Sequence, residues 1–153
     1  MTSPKPRKPW LRAGLILGGL ALLAVMILGL AAWRMTNAPA DLDTSTSLPS
    51  DQSLFRISYT PEGEIRINQI HSWRLHVETP DGRPVENAQI TVDGDMPQHG
   101  HGLPTRPEVT EYLGQGDYRV EGLKFHMPGW WIVEFEVAVE GKSDHVTFNL
   151  LLN

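Results

Sequence analysis

The chain has 153 residues and carries 13 Lys and Arg against 18 Asp and Glu, a net charge of −5. The charge is segregated: residues 1–40 hold five bases and no acid, whereas residues 41–153 hold eight bases and eighteen acids, a net −10. An acidic main body argues against nucleic acid, whose phosphates need clustered Lys and Arg, and the lack of cysteine removes disulfides, thiolate metal sites and thiol nucleophiles.

Residues 1–12 form a basic tail with Lys5, Arg7, Lys8 and Arg12. From Ala13 to Trp33 there are 21 residues without a charge, rich in Leu, Ala, Gly, Ile and Val. At ~1.5 Å per residue such a helix spans roughly 30 Å, the thickness of a bilayer's hydrocarbon core. The preceding bases predict that the tail stays in the cytoplasm, and Trp10 and Trp33 stand where interfacial indoles prefer to be. Residues 13–33 are therefore expected to be a transmembrane helix that holds the rest of the chain outside. A cleaved signal peptide is the alternative, with Ala38-Pro39-Ala40 as a small-residue cleavage site. Its apolar core would normally run to only ~7–15 residues. Both readings export the body. Residues 34–53, rich in Ser, Thr, Asp and Pro, read as a linker.

From Leu54 onward the apolar period is two, broken by turn residues at short intervals. Strands are predicted at Leu54–Thr60, at Ile70–Thr79 with Trp73, Leu75 and Val77 on one face, and around Ala88, Ile90 and Val92. A short strand follows at Val109–Leu113, and a fifth at Asp117–Phe125, where the apolar parity changes at Gly122 and implies a bulge. The sixth alternates Trp131, Val133, Phe135, Val137 and Val139 with more polar neighbours, and Val146, Phe148 and Leu150 mark a seventh. About seven short strands over residues 54–153 predict an all-β, immunoglobulin-like antiparallel β-sandwich behind one N-terminal transmembrane helix.

Two stretches depart from ordinary loop composition. One is Met96-Pro97-Gln98-His99-Gly100-His101-Gly102-Leu103-Pro104, and the other is His126-Met127-Pro128-Gly129-Trp130. An antiparallel chain changes ends at each turn, so the loops after strands one, three and five share one end. This predicts that both stretches meet there, together with the loop carrying Glu62 and Glu64. Imidazole and thioether together suit copper, and Met is a poor ligand for zinc, calcium or magnesium. Met96, His99, His101, Met127 and His126 are the candidate metal ligands. The same residues also fit a metal-free reading, with a solvated His-Gly-His loop, Met127 as a core plug and Trp130 and Trp131 as packing anchors. Leu103, Trp130 and Trp131 would then dock a partner at the tip. His71, His76 and His145 fall on outward positions and receive no role. Arg106, Glu108 and Glu111 lie near the His-rich loop, but no nucleophile with a partner base accompanies them, so the chain does not read as an enzyme.

The block from Met96 to Thr105, followed by Tyr118-Arg119-Val120-Glu121-Gly122-Leu123-Lys124-Phe125-His126-Met127-Pro128-Gly129-Trp130-Trp131, resembles the YtkA-like / FixH-like family over about residues 54–152. The resemblance implies a β-sandwich on the periplasmic side of a bacterial inner membrane, held by a single span with its N-terminus in the cytoplasm. It also implies copper delivery or assistance to oxidase assembly, with a membrane protein as acceptor. Carried over by motif, Met96, His99, His101 and Met127 become copper-ligand candidates, with His126 as a fifth. The prominent His-Gly-His block departs from FixH proper and points to the YtkA-like side.

Overall fold

The computed structural model describes residues 18–30 and 38–153. The chain divides into two compact units, Met1–Pro39 and Ala40–Asn153. In the first, residues 18–30 form a helix, α1, whose side chains are exposed. No helix among the described residues is long and apolar enough to cross a membrane. Residues 13–17 and 31–33 of the expected span, and the basic tail, lie outside the described residues.

The second unit is built from β1 (Ser47–Pro49), β2 (Arg56–Pro61), β3 (Ile70–Glu78), β4 (Gln89–Met96), β5 (His101–Gly102), β6 (Glu108–Gly114), β7 (Asp117–Lys124), β8 (Gly129–Val139) and β9 (Lys142–Leu152). They form two antiparallel sheets, ordered β1-β2-β3-β7-β6 and β5-β4-β8-β9. Without the short β1 and β5, seven strands remain, four (β2-β3-β7-β6) facing three (β4-β8-β9). This is the four-against-three strand order of a constant-type immunoglobulin sandwich.

Alternation drives the packing. Trp131, Val133, Phe135 and Val137 of β8 are fully buried, and the residues between them face outward. From the opposite sheet, Trp73, Leu75, Val77 and Val120 are equally buried. Aromatic rings link the layers: Tyr59 stacks on Trp73 at 4.4 Å and meets Phe148 edge-on at 4.9 Å, while Phe125 meets Trp131 edge-on at 5.3 Å. Such pairs add about 0.5–1.5 kcal/mol each beyond the area they bury. The bulge expected in β7 is present. Pairing with β3 slips by one residue between His71 and Trp73, and Gly122 takes φ +89°, so Leu123 and Phe125 face inward as Tyr118 and Val120 do.

Two strands lie where the sequence pattern shows none. β1 falls inside the stretch expected to be linker, and residues 47–53 belong to the folded unit. Ser50 is buried and exchanges two hydrogen bonds with the backbone of Phe55, and the Asp51 amide donates to the His145 carbonyl at 2.8 Å. β5 lies inside the His-rich loop. The third strand also runs further than its apolar pattern shows, to Met96.

Candidate functional site

The end of β4 builds the first half of the site. Gly94, like Met96, points inward and is buried. The Met96 carbonyl then accepts hydrogen bonds from the amides of both His99 and Gly100, at 2.9 and 2.8 Å, which closes a tight turn. The chain returns as β5, pairing His101 with Met96 and Gly102 with Asp95, and the Leu103 amide donates to the Gly94 carbonyl. This small hairpin presents His99 at its turn and His101 on its returning arm, both exposed.

The second half comes from the turn between β7 and β8. His126 is half-buried, with its ring edge-on to Trp131 at 5.3 Å and to His101 at 5.9 Å. His101 in turn lies nearly parallel to His99, with ring centres 6.4 Å apart. Three imidazoles from two loops about 25 residues apart in sequence thus meet at one end of the sandwich, as the strand parity predicts. The Trp131 indole donates to the Met127 carbonyl at 2.9 Å and fixes this turn, and the Met127 side chain lies partly buried against the core.

Met96 is placed differently from the other candidates. It is fully buried, a member of the core rather than of the exposed loop. Its methyl lies 3.0 Å from where a Cβ on Gly129 would be, and Gly129 has φ +128°. The thioether therefore supports the second loop from beneath. Glu62 and Glu64 do not join the imidazoles: Glu62 pairs with Arg119 at 3.5 Å and Glu64 with Arg66 at 2.8 Å. Their loop does reach the same end, through the Asn68 amide bonded to the Phe125 carbonyl.

One docking candidate is corrected as well. Trp131 is wholly buried and offers no free surface, whereas Leu103, which packs over Gly94, and Trp130 are half-buried. His71 stacks at 6.2 Å on Phe125 and contacts the Arg66 carbonyl, a structural position. His76 lies 2.7 Å from Asp117, and His145 lies 3.4 Å from Asp51 and 3.8 Å from Glu134. Arg106 and Glu108 border a groove of about 340 Å³ beside Ile90 and Val92, and Glu111 is paired with Arg119.

Two features bear on a metal. Gln98 Nε2, Thr105 Oγ1 and His126 Nδ1 are buried without a protein partner, which costs about 1–3 kcal/mol for each such atom. The first belongs to the His-rich loop, the second directly follows it, and the third belongs to the imidazole cluster itself. The His101–His126 spacing of 5.9 Å falls within the roughly 5–6 Å expected for two imidazoles bonded to one ion at ~2.0 Å, whereas the His99–His101 spacing of 6.4 Å lies outside it. Against this, among the described residues no three His, Asp or Glu side chains stand where they hold a metal ion together. Closing a site here requires rotation of the exposed His99 and His101 side chains, a motion that exposed residues make in picoseconds to nanoseconds.

The sequence from Ser50 to Glu136 matches the model of the YtkA-like family. This chain belongs to the YtkA-like family. The matched span contains both loops of the imidazole cluster and also starts in the segment that caps β2. No curated protein matches the YtkA-like chain. Among solved structures it is similar to the Lin-41 filamin domain, at 10% identity and TM-score 0.39, over 69% of this chain and 96% of that one. It is also similar to the ZirS C-terminal domain, at 14% identity and TM-score 0.39, over 72% of each chain.

Proposed function

We propose that this YtkA-like protein is a membrane-anchored copper-binding or copper-transfer protein of the bacterial inner membrane, with its sandwich in the periplasm and a membrane protein as acceptor. One observation carries the reading: His99, His101 and His126 converge at one end of the sandwich, where His126 Nδ1 is buried with no protein partner. The ligand set is these three imidazoles with Met127 beside them. Met96 supports the site from within the core. Imidazole suits Cu(II), and the thioether of Met127, next to His126 in the chain and partly buried against the core, would extend the set toward Cu(I). The anchor reading rests on the uncharged stretch 13–33 and its flanking bases. It also draws on α1, whose exposed apolar side chains need a nonaqueous environment. An anchor confines the site near its acceptor and raises effective concentration.

Copper titration of the full chain in its Cu(I) and Cu(II) forms, against the His99→Ala/His101→Ala variant, tests this. The expected result is a loss of at least tenfold in affinity, and equal affinity in the two proteins overturns the site. A metal-free interaction or assembly module is the second reading. The sealed position of Met96 and the 53% exposure of Leu151 favour it.

A further inference from the structure

The outward face of the β4-β8-β9 sheet has two chemically different zones. Close to the imidazole end, Trp130 stands opposite Leu151 in the ladder, and Ile132 stands opposite Asn149. Leu151 is 53% exposed, while Trp130 and Ile132 are half-buried. The Trp130 indole donates to Asn149 Oδ1 at 3.0 Å, and Asn149 Nδ2 donates to the Asp43 carbonyl at 2.9 Å. The ring is held in place before anything contacts it, which lowers the ordering entropy that docking would otherwise cost.

Further along the same face lies an acidic zone. Asp93 pairs with Glu134 in the ladder, Thr91 with Glu136, and Asp95 with Ile132. Asp93, Glu134 and Glu136 line a shallow groove of about 340 Å³ with Thr91, Val92 and His145. Asp93 directly opposite Glu134 is a like-charge cross-strand pair, an arrangement that destabilises a sheet. His145 Nε2 lies 3.8 Å from Glu134, and Arg106 lines the neighbouring groove with Asp93. An apolar zone with a fixed indole beside a self-repelling carboxylate zone is poor design for a face that meets only water.

We propose that this face docks a partner protein presenting an apolar patch edged by Lys or Arg. The Trp130, Ile132 and Leu151 zone receives the apolar patch, and Asp93, Asp95, Glu134 and Glu136 receive the bases. Charge complementarity selects this occupant. A second copy would set carboxylates against carboxylates, and an anionic bilayer would repel a body of net charge −10. The proposal deepens the docking reading and does not depend on a bound metal.

Photo-crosslinking of the full chain in native membranes tests it, with benzoylphenylalanine replacing Leu151 in one protein and Glu86, in the turn leading into β4 at the other end of the sandwich, in a control. The expected result is an adduct from position 151 only. It maps to a protein segment containing Lys or Arg and falls at least tenfold in yield when Glu134→Lys and Glu136→Lys are introduced. The milder Glu134→Gln/Glu136→Gln pair reduces the yield in the same direction, and a cooperative melt at or above the temperature of the unmodified protein shows that each variant is folded. Adducts to lipid alone, to a second copy, equally from both positions, insensitive to charge, or none at all overturn the proposal. Copper titration of the same variants separates it from the metal reading, since these substitutions leave the imidazoles in place.

Discussion

Asp144 shows how one buried carboxylate anchors the first residues of the folded unit. It is 3% exposed, and its oxygens accept from the amides of Gln52, Leu54 and His145. Burial pushes its pKa up, but the hydrogen bonds around it, those three amides among them, pull further and leave it below the ordinary carboxylate range. The native state therefore holds Asp144 ionised at pH values where the unfolded chain has begun to take up a proton. The unfolded state then binds more protons, so this contribution to stability is complete above roughly pH 4. It is lost as pH falls through the native value. Asp144→Ala is expected to cost about 1–3 kcal/mol at pH 7, from the loss of charge-assisted bonds. The difference from the unmodified protein shrinks as pH drops below about 4. Urea unfolding of both proteins at pH 7 and at pH 3 checks the direction, and a gap that widens in acid contradicts it.

At the scale of elements, what the sequence shows depends on length and burial. β8 is legible because eleven residues alternate without interruption and one face is fully buried. The β7 bulge is legible because Gly122 coincides with a change of apolar parity. β1 and β5 are not, since three and two residues are too few for a period to emerge. β1 holds a single aliphatic residue, Leu48, and β5 is His-Gly, so neither offers a row of alternating apolar side chains. Met96 carries a signal of its own burial in the sequence: it has the same parity as Ile90 and Val92, and only Gly94 interrupts the apolar side chains of the inward row. The convergence of the two loops was legible from strand parity, whereas the depth of Met96 and the separate pairing of Glu62 and Glu64 depend on tertiary packing. Hydrogen exchange distinguishes a folded from a linker role for residues 47–53. The Asp51 amide is bonded to the His145 carbonyl at 2.8 Å and is expected to exchange at least a hundredfold slower than an unstructured amide. Exchange at the free rate would return this segment to the linker.

For the whole molecule, the division between core and tip decides which substitutions alter stability and which alter binding. The core is a layer of aromatic and branched side chains closed without any disulfide, so each buried group contributes a noticeable share of a small total. Met96 belongs to that layer and touches the loop that carries His126 and Met127. Met96→Ala is therefore expected to destabilise the unit by about 2–5 kcal/mol. It would loosen the imidazole tip at the same time. His99 and His101 are exposed on a short hairpin, and replacing both by Ala is expected to change stability by less than about 0.5 kcal/mol. A ligand that binds only the folded state raises its stability by RT ln(1 + [L]/Kd), about 2.7 kcal/mol at a hundredfold excess over Kd. Thermal melts of the full chain with and without copper place these effects side by side. The unmodified protein is expected to gain melting temperature with copper. The double His variant should start at the same temperature and gain little, and Met96→Ala should start lower. If copper raises all three equally, the ion binds somewhere other than the tip. If the double His variant starts well below the unmodified protein, the two imidazoles are structural residues, and the separation of tip from core fails.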